Sequence, residues 1–97
     1  MARLVIVTFD LSGAKSPQYK VVREGLAALD LHTFVEKDGL KVRLPFNTAA
    51  GRIEFKSSTA LRDRLAKRIK ALFRKHHLKG KVFVAVGGRW AWAKRVT

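Results

Sequence analysis

The run Leu4-Val5-Ile6-Val7-Thr8-Phe9, closed by Asp10, constrains the fold of this chain more than any other stretch. These residue types fit a pleated surface, and an apolar run without alternation predicts a strand covered on both faces. Such a strand belongs inside a sheet, so the other elements have to be arranged around it. Asp10 stands where the strand ends, with Leu11, Ser12 and Gly13 as the turn, so a rigid element presents a carboxylate at its mouth. Asp10 is thus the first candidate for catalysis, and Ser12 is a candidate for positioning a phosphate. A turn-forming aspartate bonded to the backbone of Ser12 or Gly13 accounts for the residue equally well.

Ser16-Pro17 predicts a helix start, with Ser as the cap and Pro at the first helical position. The helix is expected to reach about Leu29, with Tyr19, Val22, Leu26 and Leu29 on one face. Leu31 to Glu36 reads as a second strand, and Lys37-Asp38-Gly39 as its turn. Two segments compete for the third strand of the main sheet. Leu40 to Leu44 alternates cleanly and stops at Pro45, as a short hairpin strand does. Gly51 to Lys56, where Ile53 and Phe55 alternate with charges, is the better supported of the two.

Ser57-Ser58-Thr59 caps a second helix expected to end near His76 or His77. Leu61, Leu65, Ile69, Leu72 and Phe73 form its apolar stripe, and Arg64, Lys67, Arg68, Lys70, Arg74 and Lys75 occupy the opposite arc. Gly80 is expected to close this helix. Lys81 to Val86 is the last strand, again apolar on both faces, and Gly87-Gly88 breaks it. The tail carries Trp90 and Trp92 at strand spacing, flanked by cations.

The order strand, helix, strand, strand, helix, strand predicts an α+β protein of the ferredoxin-like, split βαβ kind (β-α-β-β-α-β). Its sheet is antiparallel with both helices on one face, and residues 1–97 form one domain with a C-terminal extension at 88–97. A chain of this length buries about 60–65% of its unfolded surface, enough for one core. One sheet face then has no helix over it, although its first and last strands are apolar on both sides. A homodimer packed sheet to sheet covers that face, as does the tail with Trp90 and Trp92, acting as an extra or exchanged strand. Stacking of RNA bases is a third use of an open face. Arg52-Ile53-Glu54-Phe55 lacks the aromatic and glycine pattern of such platforms.

Charge narrows the function. Against 21 Lys and Arg stand 7 Asp and Glu, a formal +14, which favours polyanionic partners through counterion release. Nucleic acid leads, RNA ahead of DNA, with Lys15, Lys20, Arg23, Arg64, Lys67, Arg68, Arg74 and Lys75 as the candidate phosphate contacts. A basic face that is merely solvated is the plain alternative. There is no cysteine, which excludes disulfides, thiolate metal sites and cysteine nucleophiles. No segment approaches the roughly 18 apolar residues of a membrane span, and Arg3 leads straight into a strand rather than a secretory signal, so the chain reads as cytoplasmic with no membrane role. His76 and His77 cannot face the same way on a helix, and no phosphate-loop or dinucleotide motif is present. If two copies met at the end of the first strand, their Asp10 carboxylates would share one Mg²⁺ or Mn²⁺, the minimum for metal-assisted phosphodiester cleavage.

The apolar strand ending in Phe9-Asp10, the short Ser-containing loop, the helix with Tyr19 and the split βαβ order resemble the small ferredoxin-like ribonucleases. These comprise CRISPR-associated spacer-acquisition subunits and VapD toxins, and the layout is also similar to the GhoS antitoxin. The resemblance implies a homodimer with a sheet-to-sheet core, endoribonuclease activity, an aspartate from each chain as metal ligand, and a C-terminal strand exchanged between protomers, here Trp90 to Val96. Two features depart from it: the loop after Asp10 lacks an arginine-rich helix start, and the segment between the second and third strands is longer. Rival expectations are a non-catalytic RNA- or DNA-binding module of a ribosome or nucleoprotein, and a toxin–antitoxin or phage-defence component acting through protein contacts.

Overall fold

A computed structural model of the chain describes residues 2–13 and 15–88; Trp90, Trp92 and the expected tail strand lie outside the described residues. β1 (Ala2–Leu11) is followed by α1 (Ser16–Ala27), β2 (Phe34–Lys37), β3 (Leu40–Arg43), β4 (Thr48–Glu54), α2 (Ser58–Lys75) and β5 (Gly80–Gly87). The protein is α+β, with a three-stranded antiparallel sheet in the order β4-β1-β5 and a separate β2-β3 hairpin.

β1 does lie at the centre of its sheet, but its two faces differ. Val5, Val7, Phe9 and Leu11 are buried in one cluster with Val22 and Leu26 of α1 and Leu61, Leu65 and Ile69 of α2. Both helices therefore cover the same face. Leu4, Ile6, Thr8 and Asp10 point the other way; Leu4 is buried, whereas Ile6, at 38%, Thr8 and Asp10 are exposed. The expectation of two-sided burial is corrected beyond Leu4 in β1, and in β5, where Val84 and Val86 pack against the core while Phe83 and Ala85 are exposed. Ile6 and Phe83 are residue types that fit a pleated, half-buried surface and pack against cross-strand neighbours, so they suit a strand that has only one helix-covered face.

The competition for the sheet position beside β1 is settled by β4, from Thr48 to Glu54, in register Val7↔Ala49 and Val5↔Gly51. Leu40–Arg43 pairs with β2 instead, through a turn in which Asp38 (φ 52°) and Gly39 (φ 80°) are both left-handed, the geometry of a tight two-residue hairpin. The segment expected as a strand at 31–36 is shifted: Leu31 is fully buried, His32 forms a single bridge to Ala50, and regular pairing begins at Phe34.

Both helices end by the same device. Leu31 N–H donates to the Leu26 carbonyl and Asp30 N–H to that of Ala27; in α2 the equivalent bonds run from Leu78 to Phe73 and from His77 to Arg74. Asp30 (φ 63°) and His77 (φ 55°) hold the left-handed position usually given to glycine. Gly80 thus does not close α2 as expected; it opens β5. At the start of α1, Lys15 rather than Ser16 is the cap, because the Gln18 side chain accepts from Lys15 N–H at 2.6 Å, and Pro17 falls one place later. Ser57 caps α2, its Oγ accepting from Ala60 N–H at 3.2 Å. Replacing Ser57→Ala is expected to cost about 1 kcal/mol, read as a melting temperature lower by roughly 4–8 °C; an unchanged melting curve contradicts this role.

Candidate nucleic-acid interface

α2 is the basic element. Leu61, Leu65 and Ile69 recur every fourth residue and are buried, which turns Arg64, Lys67, Arg68, Lys70, Arg74 and Lys75 to solvent. Two stripes result. Arg68 and Lys75 are the helical neighbours of Leu72, the side chain beside Gly25 of α1, so with Arg64 they line the flank toward α1. Lys70 and Arg74 lie on the other flank, in the groove against Leu78 and the first residues of β5. An adjacent pair, Arg62 and Asp63, is joined at 3.0 Å and is exposed.

The candidate cations outside α2 do not all join it. Lys15 does, because it shares a groove with His76 at the end of α2 where Lys75 also stands. Lys20 and Arg23 do not. They lie on the side of α1 turned away from Gly25 and α2, in a groove with His32, Thr33 and Phe34, and Lys20 lies 3.9 Å from Glu24. Not every cation is free for a ligand: Arg3 reaches from β1 to the Phe55 and Lys56 carbonyls at 3.4 and 3.2 Å, clamping the chain after β4.

Asp10 is exposed on the face opposite the helices and stands directly across the β1–β5 ladder from Lys81. Ser12 is exposed in the turn, its backbone N–H donating to the Lys79 carbonyl at 2.8 Å. Among the described residues, no three of His, Cys, Asp and Glu are grouped closely enough to hold a metal ion. One chain therefore offers a Mg²⁺ or Mn²⁺ ion the single Asp10 carboxylate with an ammonium opposite it. A hard cation held by one carboxylate takes its remaining oxygens from water and substrate phosphate, and the ammonium opposite Asp10 competes with it for that carboxylate. His77 is committed to the helix end, and no described helix is long and apolar enough to cross a membrane.

Lys81, Phe46 and Phe83 are the residues of interest that sequence reasoning passed over. Phe83 sits within Val82-Phe83-Val84, a context that reads as core. Its exposure depends on which face the helices cover, which no local pattern reports. Compared with known proteins, the chain matches no family model, no curated protein and no solved structure. What the geometry defines is a class only: a small α+β protein with a cationic helix on one side and, on the other, a sheet face that no described helix covers.

Proposed function

We propose that the chain is a nucleic-acid-binding protein of ferredoxin-like architecture that holds the phosphate backbone with α2. The fold reading rests on the order β5-β1-β4, with both helices on one face and the His32–Ala50 bridge placing the strand after α1 outside β4. This order supports a split βαβ reading in which the outer strand is reduced to one bridge.

One observation carries the functional reading: the exposed side of α2 bears Arg64, Lys67, Arg68, Lys70, Arg74 and Lys75, with Asp63 as its one acidic residue. A surface of that kind gains affinity by releasing condensed counterions from a polyanion. Binding, rather than cleavage, is the proposed activity, because Asp10 supplies a lone carboxylate apart from this helix. RNA is the preferred partner within this reading.

The test is a titration of purified protein with labelled RNA and DNA at several salt concentrations. Log affinity is expected to fall linearly with log salt, with a slope near 0.7–0.9 for each phosphate engaged. Affinity independent of salt, or no binding at low salt, rules the proposal out. Parallel incubations with Mg²⁺, Mn²⁺ and chelator are expected to leave the nucleic acid intact; metal-dependent cleavage that vanishes in Asp10→Ala restores the ribonuclease reading.

A further inference from the structure

The sheet face away from the helices carries the ring of Phe83, and at its edge stands Phe46, whose ring packs on Tyr19 of α1 with centroids 5.4 Å apart. Phe46 is 74% exposed and Phe83 is 66% exposed, although a phenyl ring gains from burial. Both rings line one groove, together with Thr8, Asp10, Thr48 and Lys81.

The ladder explains the arrangement. Thr48, Thr8 and Phe83 are successive partners across β4, β1 and β5, and Asp10 and Lys81 are partners one row further on. Neighbouring strands are about 4.8 Å apart, and residues two apart on a strand are separated by about 7 Å. The groove thus has a floor of threonine side chains, the Phe83 ring beside them on β5, the Phe46 ring at its edge against Tyr19, and a carboxylate with an ammonium one row on.

From this geometry we propose that the groove receives an unpaired guanine base of single-stranded nucleic acid. The inference rests on the nucleic-acid reading above and adds a base-recognition site to its phosphate contacts. Aromatic side chains on a sheet take the π-face of a base. Lys81 supplies a cation for the adjoining phosphate. Asp10, when ionised, is an acceptor with two oxygens. Guanine presents two adjacent donors on its Watson–Crick edge, N1–H and the N2 amine, whereas adenine and cytosine present one amine each. A duplex hides both the base faces and that edge, so the groove selects single strands.

A second copy of the chain packed on this face is the competing occupant. The face is poorly suited to it: Asp10 and Lys81 stand among the exposed apolar residues, whereas the centre of a stable interface is depleted of charge, and each copy carries +14.

The experiment compares three labelled probes with the whole chain: a single-stranded uridine oligomer with one central guanine, the same oligomer without it, and the guanine oligomer in duplex form. The guanine-containing single strand is expected to bind roughly 10-fold more tightly than the other two, the difference of one good bidentate base contact. Asp10→Asn is expected to remove the guanine preference while leaving the salt slope unchanged. Phe83→Ala is expected to weaken single-strand binding by roughly 5- to 100-fold, the range for losing one stacked base, with an unchanged melting temperature because the ring is exposed. Titration with guanosine monophosphate, followed by the NMR signals of Thr8 and Phe83, tests the groove without the helix contacts; shifts absent with cytidine monophosphate support it. Salt-dependent binding that is insensitive to Phe46→Ala, Phe83→Ala and Asp10→Asn overturns the groove and leaves the α2 reading standing. Sedimentation as a dimer that Phe83→Ala dissociates assigns the face to a second copy and also overturns it.

Discussion

Replacing Arg64, Arg68 and Lys75 together with glutamine is expected to lower affinity for nucleic acid by roughly 30- to 100-fold near physiological salt. The three residues share the α1-facing flank of α2 beside Leu72 and are all exposed. Glutamine keeps the helical propensity of the side chains it replaces, and exposed substitutions of this kind change stability by about 0.5 kcal/mol or less. The loss is therefore electrostatic and carries its own signature: the log–log salt slope becomes shallower by about two to three, because each phosphate contact contributes 0.7–0.9. Lys20→Gln with Arg23→Gln is the matched comparison. Those residues lie on the far side of α1, so that pair is expected to leave the slope nearly unchanged. If the two sets weaken binding equally, the charge acts as a diffuse cloud and α2 is not the binding element.

Gly51→Ala is expected to destabilise the protein by about 3 kcal/mol, as overpacking against an immovable neighbour does. A methyl group at Gly51 meets the Asp30 carbonyl, which is backbone and has no rotamer to swing away. Asp30 is itself held left-handed at φ 63°, and the residues on either side of the contact are fixed by paired 2.9 Å hydrogen bonds between His32 and Ala50. Relief requires opening that bridge. Against a typical total of about 5–15 kcal/mol, such a loss is a large fraction. The measurement is a urea midpoint compared with that of Gly39→Ala, where φ is 80° but nothing lies within 4 Å of the added methyl. Gly39→Ala is expected to cost about 1 kcal/mol from backbone conformation alone. Equal midpoints for the two variants contradict the close approach of the helix exit to β4.

The local elements were legible because each has a period or a turn signal of its own. Leu61, Leu65 and Ile69 recur every fourth residue, which set the buried side of α2 and turned its cations outward. Asp38-Gly39 supplied the two left-handed positions of the hairpin turn, and β1 was visible in its run of β-branched residues. The start of β4 was not legible, because Thr48-Ala49-Ala50-Gly51 has little strand preference of its own. Gly51 fits there because the Asp30 carbonyl at the exit of α1 leaves no room for a Cβ, a fact about a neighbour distant in sequence.

Lateral placement was the part that only the tertiary structure decided. The amino-acid order by itself determined an α+β fold, two amphipathic helices and a strongly cationic α2, since these follow from spacings within a few residues. Which strand lies beside β1, that Lys81 stands across from Asp10, that Lys20 and Arg23 turn away from α2, and that Phe46 and Phe83 share one exposed groove depend on pairings between segments tens of residues apart. Side-chain periodicity assigns each residue to a face of its own element; only the packing of both helices against one side of the sheet decides which of those faces meets water.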